Sequence, residues 1–206
     1  MLQTVQLLSM MIDQLTKKTT MKKAVVLILA VSLSIAVKAQ TSIYMAKSSE
    51  ITFFSEATLE NIDAKNNTGK PVLNTKTGDL QVQVTMKGFK FKSPLMEEHF
   101  NETYVESDKY PQAKFLGKIK DNDKIDYTKD GSYDVIVEGP MTMHGETKNV
   151  TATGKLTVSG NKILIDSKFK LKLADYKVDV PKNKLSNIAE VVDVTVKAIL
   201  EPFEKK

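Results

Sequence analysis

Tyr133-Asp134-Val135-Ile136-Val137-Glu138-Gly139-Pro140-Met141-Thr142-Met143-His144-Gly145-Glu146-Thr147-Lys148-Asn149-Val150-Thr151-Ala152-Thr153-Gly154-Lys155-Leu156-Thr157-Val158 is the stretch whose reading decides the fold class. Tyr133, Val135, Val137, Gly139, Met141 and Met143 fall on one parity, opposed by Asp134, Ile136, Glu138, Pro140 and Thr142. Val150, Ala152, Gly154, Leu156 and Val158 repeat the pattern against Thr151, Thr153, Lys155 and Thr157. Side chains of a strand alternate between faces, so each run predicts a strand with one apolar face. His144-Gly145-Glu146-Thr147 between them predicts a hairpin turn.

The same alternation extends in both directions. Ser159-Gly160-Asn161-Lys162 turns the chain, and Ile163, Ile165, Ser167, Phe169, Leu171 and Leu173 follow on one face with Lys168, Lys170 and Lys172 on the other. Val192, Val194, Val196, Ala198 and Leu200 close the sequence, after a corner from Asp175 to Pro181. Upstream, Leu80, Val82, Val84 and Met86 oppose Gln81, Gln83, Thr85 and Lys87 beyond a Thr77-Gly78-Asp79 turn, and Ala113 to Ile119 forms another strand. At Gly88 the parity flips to Phe89 and Phe91, which predicts a bulge. Thr41–Met45, Glu50–Phe54 and Glu60–Lys65 are shorter extended pieces, and Lys120–Gly131 reads as a polar loop. Hairpin-linked strands without βα units predict an antiparallel sheet, closed as a barrel by long strands with internal glycines. Small inward residues (Ala113, Gly139, Ala152, Gly154, Ala198) leave room inside such a barrel for a guest.

One helix interrupts the strands, over about 93–106. Ser93-Pro94 supplies an N-cap and a first-turn proline, and Glu97 and Glu98 suit the dipole of the opening turns. Met96, Phe100 and Tyr104 recur at helical spacing and give it one apolar face.

The termini bound the rest. Lys22-Lys23, an apolar run from Ala24 to Val37, and Lys38-Ala39 before Gln40 match a secretory signal peptide with Met21 as its start. The alternative is an uncleaved N-terminal anchor. Taking 1–39 as leader leaves 206 − 39 = 167 residues, a single domain from 40 to 206. Five lysines and Asp13 fall in the leader, so the mature chain carries 30 − 5 = 25 basic and 25 − 1 = 24 acidic residues. That near-neutrality gives no footprint for nucleic acid. Cysteine is absent, which excludes disulfides, thiolate metal sites, a cysteine nucleophile and a lipid-modified cysteine anchor.

Catalytic and metal constellations are weak. His99 with Glu98 and Glu102 shares a helix face, but bundle-type metal sites need ligands from further helices. His144 in its hairpin turn is expected to be exposed, without the orienting partner a general base needs. Asp121, Asp123 and Asp126 are interleaved with lysines and lack a bidentate glutamate for calcium. No Gly-x-Ser-x-Gly elbow or phosphate-cradling loop is present. The expectation is therefore no enzyme, no metal and no cofactor.

Two segments carry a resemblance. Tyr110-Pro111-Gln112-Ala113-Lys114-Phe115, after a phenylalanine-containing helix, and Gly139 to Val150, with its Thr142-Met143-His144-Gly145-Glu146-Thr147-Lys148 core, resemble the YceI-like lipid-binding (polyisoprenoid-binding) family. A weaker likeness covers Lys170 to Leu200. The chain departs from that pattern in lacking histidine in Lys47–Phe54 and in lacking both Arg and Gly at Leu173-Ala174-Asp175-Tyr176-Lys177.

The resemblance implies an exported, lipocalin-like antiparallel β-barrel, periplasmic or secreted, with an isoprenoid or fatty-acyl chain in a hydrophobic tunnel. Strand parity nominates Phe53, Val82, Val84, Phe89, Phe115, Ile119, Val135, Val137, Met141, Phe169, Leu171 and Val194 as its lining, with Phe100 and Tyr104 covering one mouth. No arginine occurs, so a quinone, amide or acid head group is favoured over a pyrophosphate. The alternatives are a filled exported barrel acting through its surface, and a His-dependent metal enzyme. A homodimer remains open.

Overall fold

The computed structural model describes residue 10 and residues 41–56, 61–180 and 188–203. The expected signal peptide, Glu60 at the start of the expected Glu60–Lys65 piece and Pro181 at the end of the expected corner lie outside the described residues. From Thr41 onward the chain forms one compact unit. Its strands are β1 (Ile43–Ser55), β2 (Ile62–Asn66), β3 (Val72–Asn74), β4 (Asp79–Thr85), β5 (Lys90–Phe91), β6 (Gln112–Ile119), β7 (Gly131–Met143), β8 (Glu146–Ser159), β9 (Lys162–Lys172) and β10 (Val191–Pro202). Helix α1 (Pro94–His99) lies between β5 and β6.

The sheet runs β10-β9-β8-β7-β6-β4-β3-β1-β2-β5, and pairing of β10 with β1 closes it. Every pairing is antiparallel. The two extended pieces expected over Thr41–Phe54 are one long strand, with a bulge against β10 between Ala46 and Ser48. Ile51 opposite Asn66 and Met45 opposite Val72 keep a single register, so β2 and β3 are two parts of one broken stave. β4 and β5 pair with successive parts of that stave, with the register slipping by two residues between Val72 opposite Gln81 and Lys65 opposite Lys90, and the closed barrel has eight staves.

Where a bulge is expected at Gly88, the chain makes a 3-10 turn, Met86–Gly88. Asn66, fully buried, secures the two breaks: its Nδ2 donates to the Thr85 carbonyl at 2.8 Å, and its Oδ1 accepts from the amide and hydroxyl of Thr68 at 2.7 Å. A buried amide side chain with its polar atoms partnered incurs no desolvation penalty and fixes how two broken staves meet.

The core is divided along the barrel axis. Val84, Met86, Phe89, Ala113, Met143, Leu171 and Val194 belong to one cluster, and Leu80, Ile119, Val137, Leu156, Ile163 and Leu200 to the other. Every stave but β8, whose Leu156 and Val158 belong to the second, contributes to both: β6 runs from Ala113 in the first to Ile119 in the second. The second end is more densely filled and is closed by the Lys120–Gly131 loop, which is only partly the polar loop its composition predicts. Ile125 and Tyr127 turn inward there, and the Tyr127 hydroxyl donates to Asn122 Oδ1 at 2.8 Å. No helix among the described residues is long and apolar enough to cross a membrane.

Candidate functional site

The first end of the barrel is hollow. A cavity of about 400 Å³ lies inside it, within the range typical of small-molecule sites. Its wall is overwhelmingly aliphatic and aromatic, and its polar contributors are Ser55, Ser93, His99, Tyr104 and Lys114. Ser55 Oγ is already engaged, accepting from the amide of Ala189 at 2.8 Å.

Of the side chains nominated from strand parity, Phe53, Val82, Val84, Phe89, Phe115, Met141, Phe169, Leu171 and Val194 line this cavity, joined by Phe100 and Tyr104. Ile119, Val135 and Val137 do not. They face inward as parity requires, but at the packed end, around a second cavity of about 50 Å³. Parity fixes which face a residue takes and is blind to its height along the barrel. The cavity also recruits Ile51, Met86, Phe91, Met96, Met143, Leu173, Val178, Val192 and Val196. Several of these continue the same alternations and carried the same signal.

Four phenylalanines from separate elements meet in the wall. Phe53 stacks on Phe100 with ring centroids 5.6 Å apart, and Phe89 and Phe91 approach Phe100 at 5.6 and 5.0 Å. Phe53 meets Phe89 and Phe91 at 5.5 and 5.6 Å. Offset and edge-on rings at these distances attract through their quadrupoles beyond simple area burial. They pin the helical insert to β1 and β5.

That insert is shorter and less regular than a helix over 93–106. Ser93 caps α1, its Oγ accepting from the Met96 amide at 3.5 Å, with Pro94 in the first turn. From Phe100 to Tyr104 the backbone widens into a π-turn, the Val105 amide donating to the Phe100 carbonyl at 3.0 Å. Met96, Phe100 and Tyr104 nevertheless all face the cavity. Glu97 joins the start of α1 to β5 through Lys90, whose ammonium holds the Glu97 carboxyl below the usual carboxylate range. Leu95 and His99 line the cavity while remaining exposed, which places the mouth at this insert.

His144 is not the exposed turn residue its hairpin position predicts. Its side chain is only 10% exposed and bonded at both nitrogens, Nδ1 to the Tyr176 carbonyl and Nε2 to Glu106 Oε2, each at 2.9 Å. The ring of Tyr110 packs edge-on against it at 4.6 Å. Its sequence neighbour Met143, together with Val105 and Val178 beside its partners, lines the cavity. The histidine therefore braces the wall. Tyr176 is buried, and that burial pushes its hydroxyl up to about 12, with Asp175 adding to the effect. No group of three or more acidic, histidine or cysteine side chains suited to a metal occurs among the described residues. His99, Glu98 and Glu102 do not converge as a ligand set.

Residues 34–200 match the family model described as YceI-like domain. No curated protein matches the sequence. Among solved structures, the chain is similar to a polyisoprenoid binding domain from Saccharophagus degradans implicated in plant cell wall breakdown. That match has 16% identity and a TM-score of 0.64, and covers 80% of this chain and 100% of that one. It is also similar to BcnA of Burkholderia cenocepacia, at 16% identity and TM-score 0.60, covering 73% of this chain and 95% of that one. A Campylobacter jejuni YCEI protein aligns at 16% identity and TM-score 0.52, over 67% of this chain and 81% of that one. At these identities the likeness is one of fold.

Proposed function

The chain belongs to the YceI-like domain family, and from that premise we propose that it holds a long apolar molecule, an isoprenoid or fatty-acyl chain, without transforming it. The observation that carries this reading is the cavity of about 400 Å³ walled by aliphatic and aromatic side chains. Each methylene moved from water into such a wall contributes about 0.8 kcal/mol, so a chain of modest length reaches micromolar affinity with no directional contact. A polyisoprenoid-binding domain with the same fold supports the ligand class.

The polar end of the ligand sits at the mouth, beside Ser93 and His99, and is a quinone, amide or acid group. Arginine, the usual partner for bidentate pyrophosphate recognition, is absent from the sequence. Carriage or storage is the role this supports. His144 is committed at both nitrogens to bonds that hold the wall.

The protein works outside the cytoplasm, after loss of the leader that ends at Ala39. Cell fractionation with N-terminal sequencing tests that part, and a chain retained inside with its leader intact overturns it. Native mass spectrometry of the protein from Gln40 onward, with an organic extract in parallel, tests the rest. A bound mass lost on extraction and recovered as a single lipid is the expected result. A clean mass that takes up neither isoprenoids nor fatty acids overturns the reading.

A further inference from the structure

We propose that Phe115 is the end-stop that sets how long a chain the barrel accepts, an inference that rests on the lipid-holding reading above. The main cavity and the small one at the packed end are separated by side chains that line both: Val82, Phe115, Ala152, Phe169 and Val196. Phe169 packs with the hollow end, whereas Phe115 packs with the densely filled end while still lining the main cavity. Of the two aromatics that line both cavities, Phe115 is the one that packs with the far end.

The position of the Phe115 ring depends on its neighbour. Phe115 and Gly117 are successive inward positions on β6, and a Cβ at Gly117 would lie 2.4 Å from Cε1 and Cζ of that ring. The ring thus occupies the space a side chain at 117 would fill. Because β6 runs from Ala113 at the hollow end to Ile119 at the packed end, the ring leans away from the main cavity. Glycine at 117 leaves the main cavity its full depth, and Phe115 ends it there. Behind the ring lie about 50 Å³ of empty apolar space. Removing the ring joins that space to the main cavity, and displacing it toward Ala113 shortens the main cavity.

Titration calorimetry with a homologous series of straight-chain fatty acids reads this directly. In the wild type, affinity rises about fourfold per added methylene until the chain reaches the end-stop, then levels off. Phe115→Ala moves that limit to longer chains by several carbons and leaves the slope below it unchanged. Gly117→Ala moves it to shorter chains, because the new methyl drives the ring back. Phe115→Leu gives a smaller shift in the same direction as alanine and serves if the alanine variant does not fold. A wild-type limit that these variants leave in place overturns the end-stop while the lipid-holding reading stands. A wild type that binds no member of the series and no isoprenoid alcohol overturns both.

Discussion

His144 Nε2 lies 2.9 Å from Glu106 Oε2, joining the tip of the β7–β8 hairpin to the segment that follows the helical insert. The other ring nitrogen faces the Tyr176 carbonyl, which can only accept, so Nδ1 is the donor in that bond. Three of the four non-glycine residues with positive φ among those described meet here: Glu106 (43°), His144 (50°) and Lys177 (54°). Left-handed backbone at such residues costs roughly 1–2 kcal/mol each and persists only where surrounding contacts fix it. The contacts in question are the two imidazole bonds and the Lys177–Glu146 ion pair.

Replacing His144 with alanine removes a charge-assisted hydrogen bond, a second bond and the Tyr110 contact, and puts a Cβ residue of poor αL tolerance at φ 50°. The expected loss is about 3 kcal/mol. Glu106→Gln keeps an acceptor for Nε2 and costs about 1 kcal/mol. Urea unfolding of both variants checks the ranking, and equal losses would show that the Glu106 interaction alone accounts for what His144 contributes.

Tyr176 separates backbone from side chain at the same brace. Its carbonyl serves His144, while its buried hydroxyl has no hydrogen-bond partner among the described residues. Tyr176→Phe retains the carbonyl and the ring and deletes only the unpartnered group. The variant is expected to be unchanged or up to about 1 kcal/mol more stable. Thermal unfolding checks this, and a marked loss would mean that an ordered water satisfies the hydroxyl.

The strand alternations made the barrel legible, because burial on one face imposes period two on every stave. Phe53 and Phe89 are readable for the same reason, and Phe100 from the helical spacing of Met96, Phe100 and Tyr104. Ile119, Val135 and Val137 carry the same period, yet they sit at the packed end, since height along the axis depends on inter-strand stagger that no single strand encodes. His144 was misread as exposed because its partners, Glu106 and Tyr176, lie 38 and 32 residues away. Only the closed barrel brings those segments together. Asn66 is legible only in the closed barrel for the same reason, since its bond to the Thr85 carbonyl joins segments 19 residues apart.

The glycines of the β6–β7 pair make a sharper prediction. A Cβ at Gly139 would stand 2.2 Å from the Leu116 carbonyl oxygen and 2.6 Å from Gly117 Cα, both backbone atoms that cannot rotate away. Gly139→Ala is therefore expected to cost about 3 kcal/mol or to prevent folding. At Gly160 nothing lies within 4 Å, but φ is +58° in the β8–β9 turn. Gly160→Ala should cost only the left-handed penalty, roughly 1–2 kcal/mol. Denaturant midpoints of the two variants, measured side by side, distinguish crowding from backbone strain.

The attachment of α1 gives a pH dependence. The Lys90 ammonium holds the Glu97 carboxyl below its unfolded value of 4.5, with the Phe91 amide contributing. A carboxyl with a depressed folded value binds fewer protons folded than unfolded near that pH. Its contribution is therefore present above pH 4.5 and is lost as pH falls through the lower folded value. Glu97→Gln removes the charge at every pH. The wild type should exceed the variant in thermal midpoint at neutral pH, and the gap should close on acidification below 4.5. Most of Glu97's contribution is local, so the same gap should appear in hydrogen exchange of the α1 amides, where solvent screening of this surface ion pair keeps it small. A gap that persists at acid pH would mean that Glu97 holds the mouth of the cavity through the Phe91 hydrogen bond rather than through its charge.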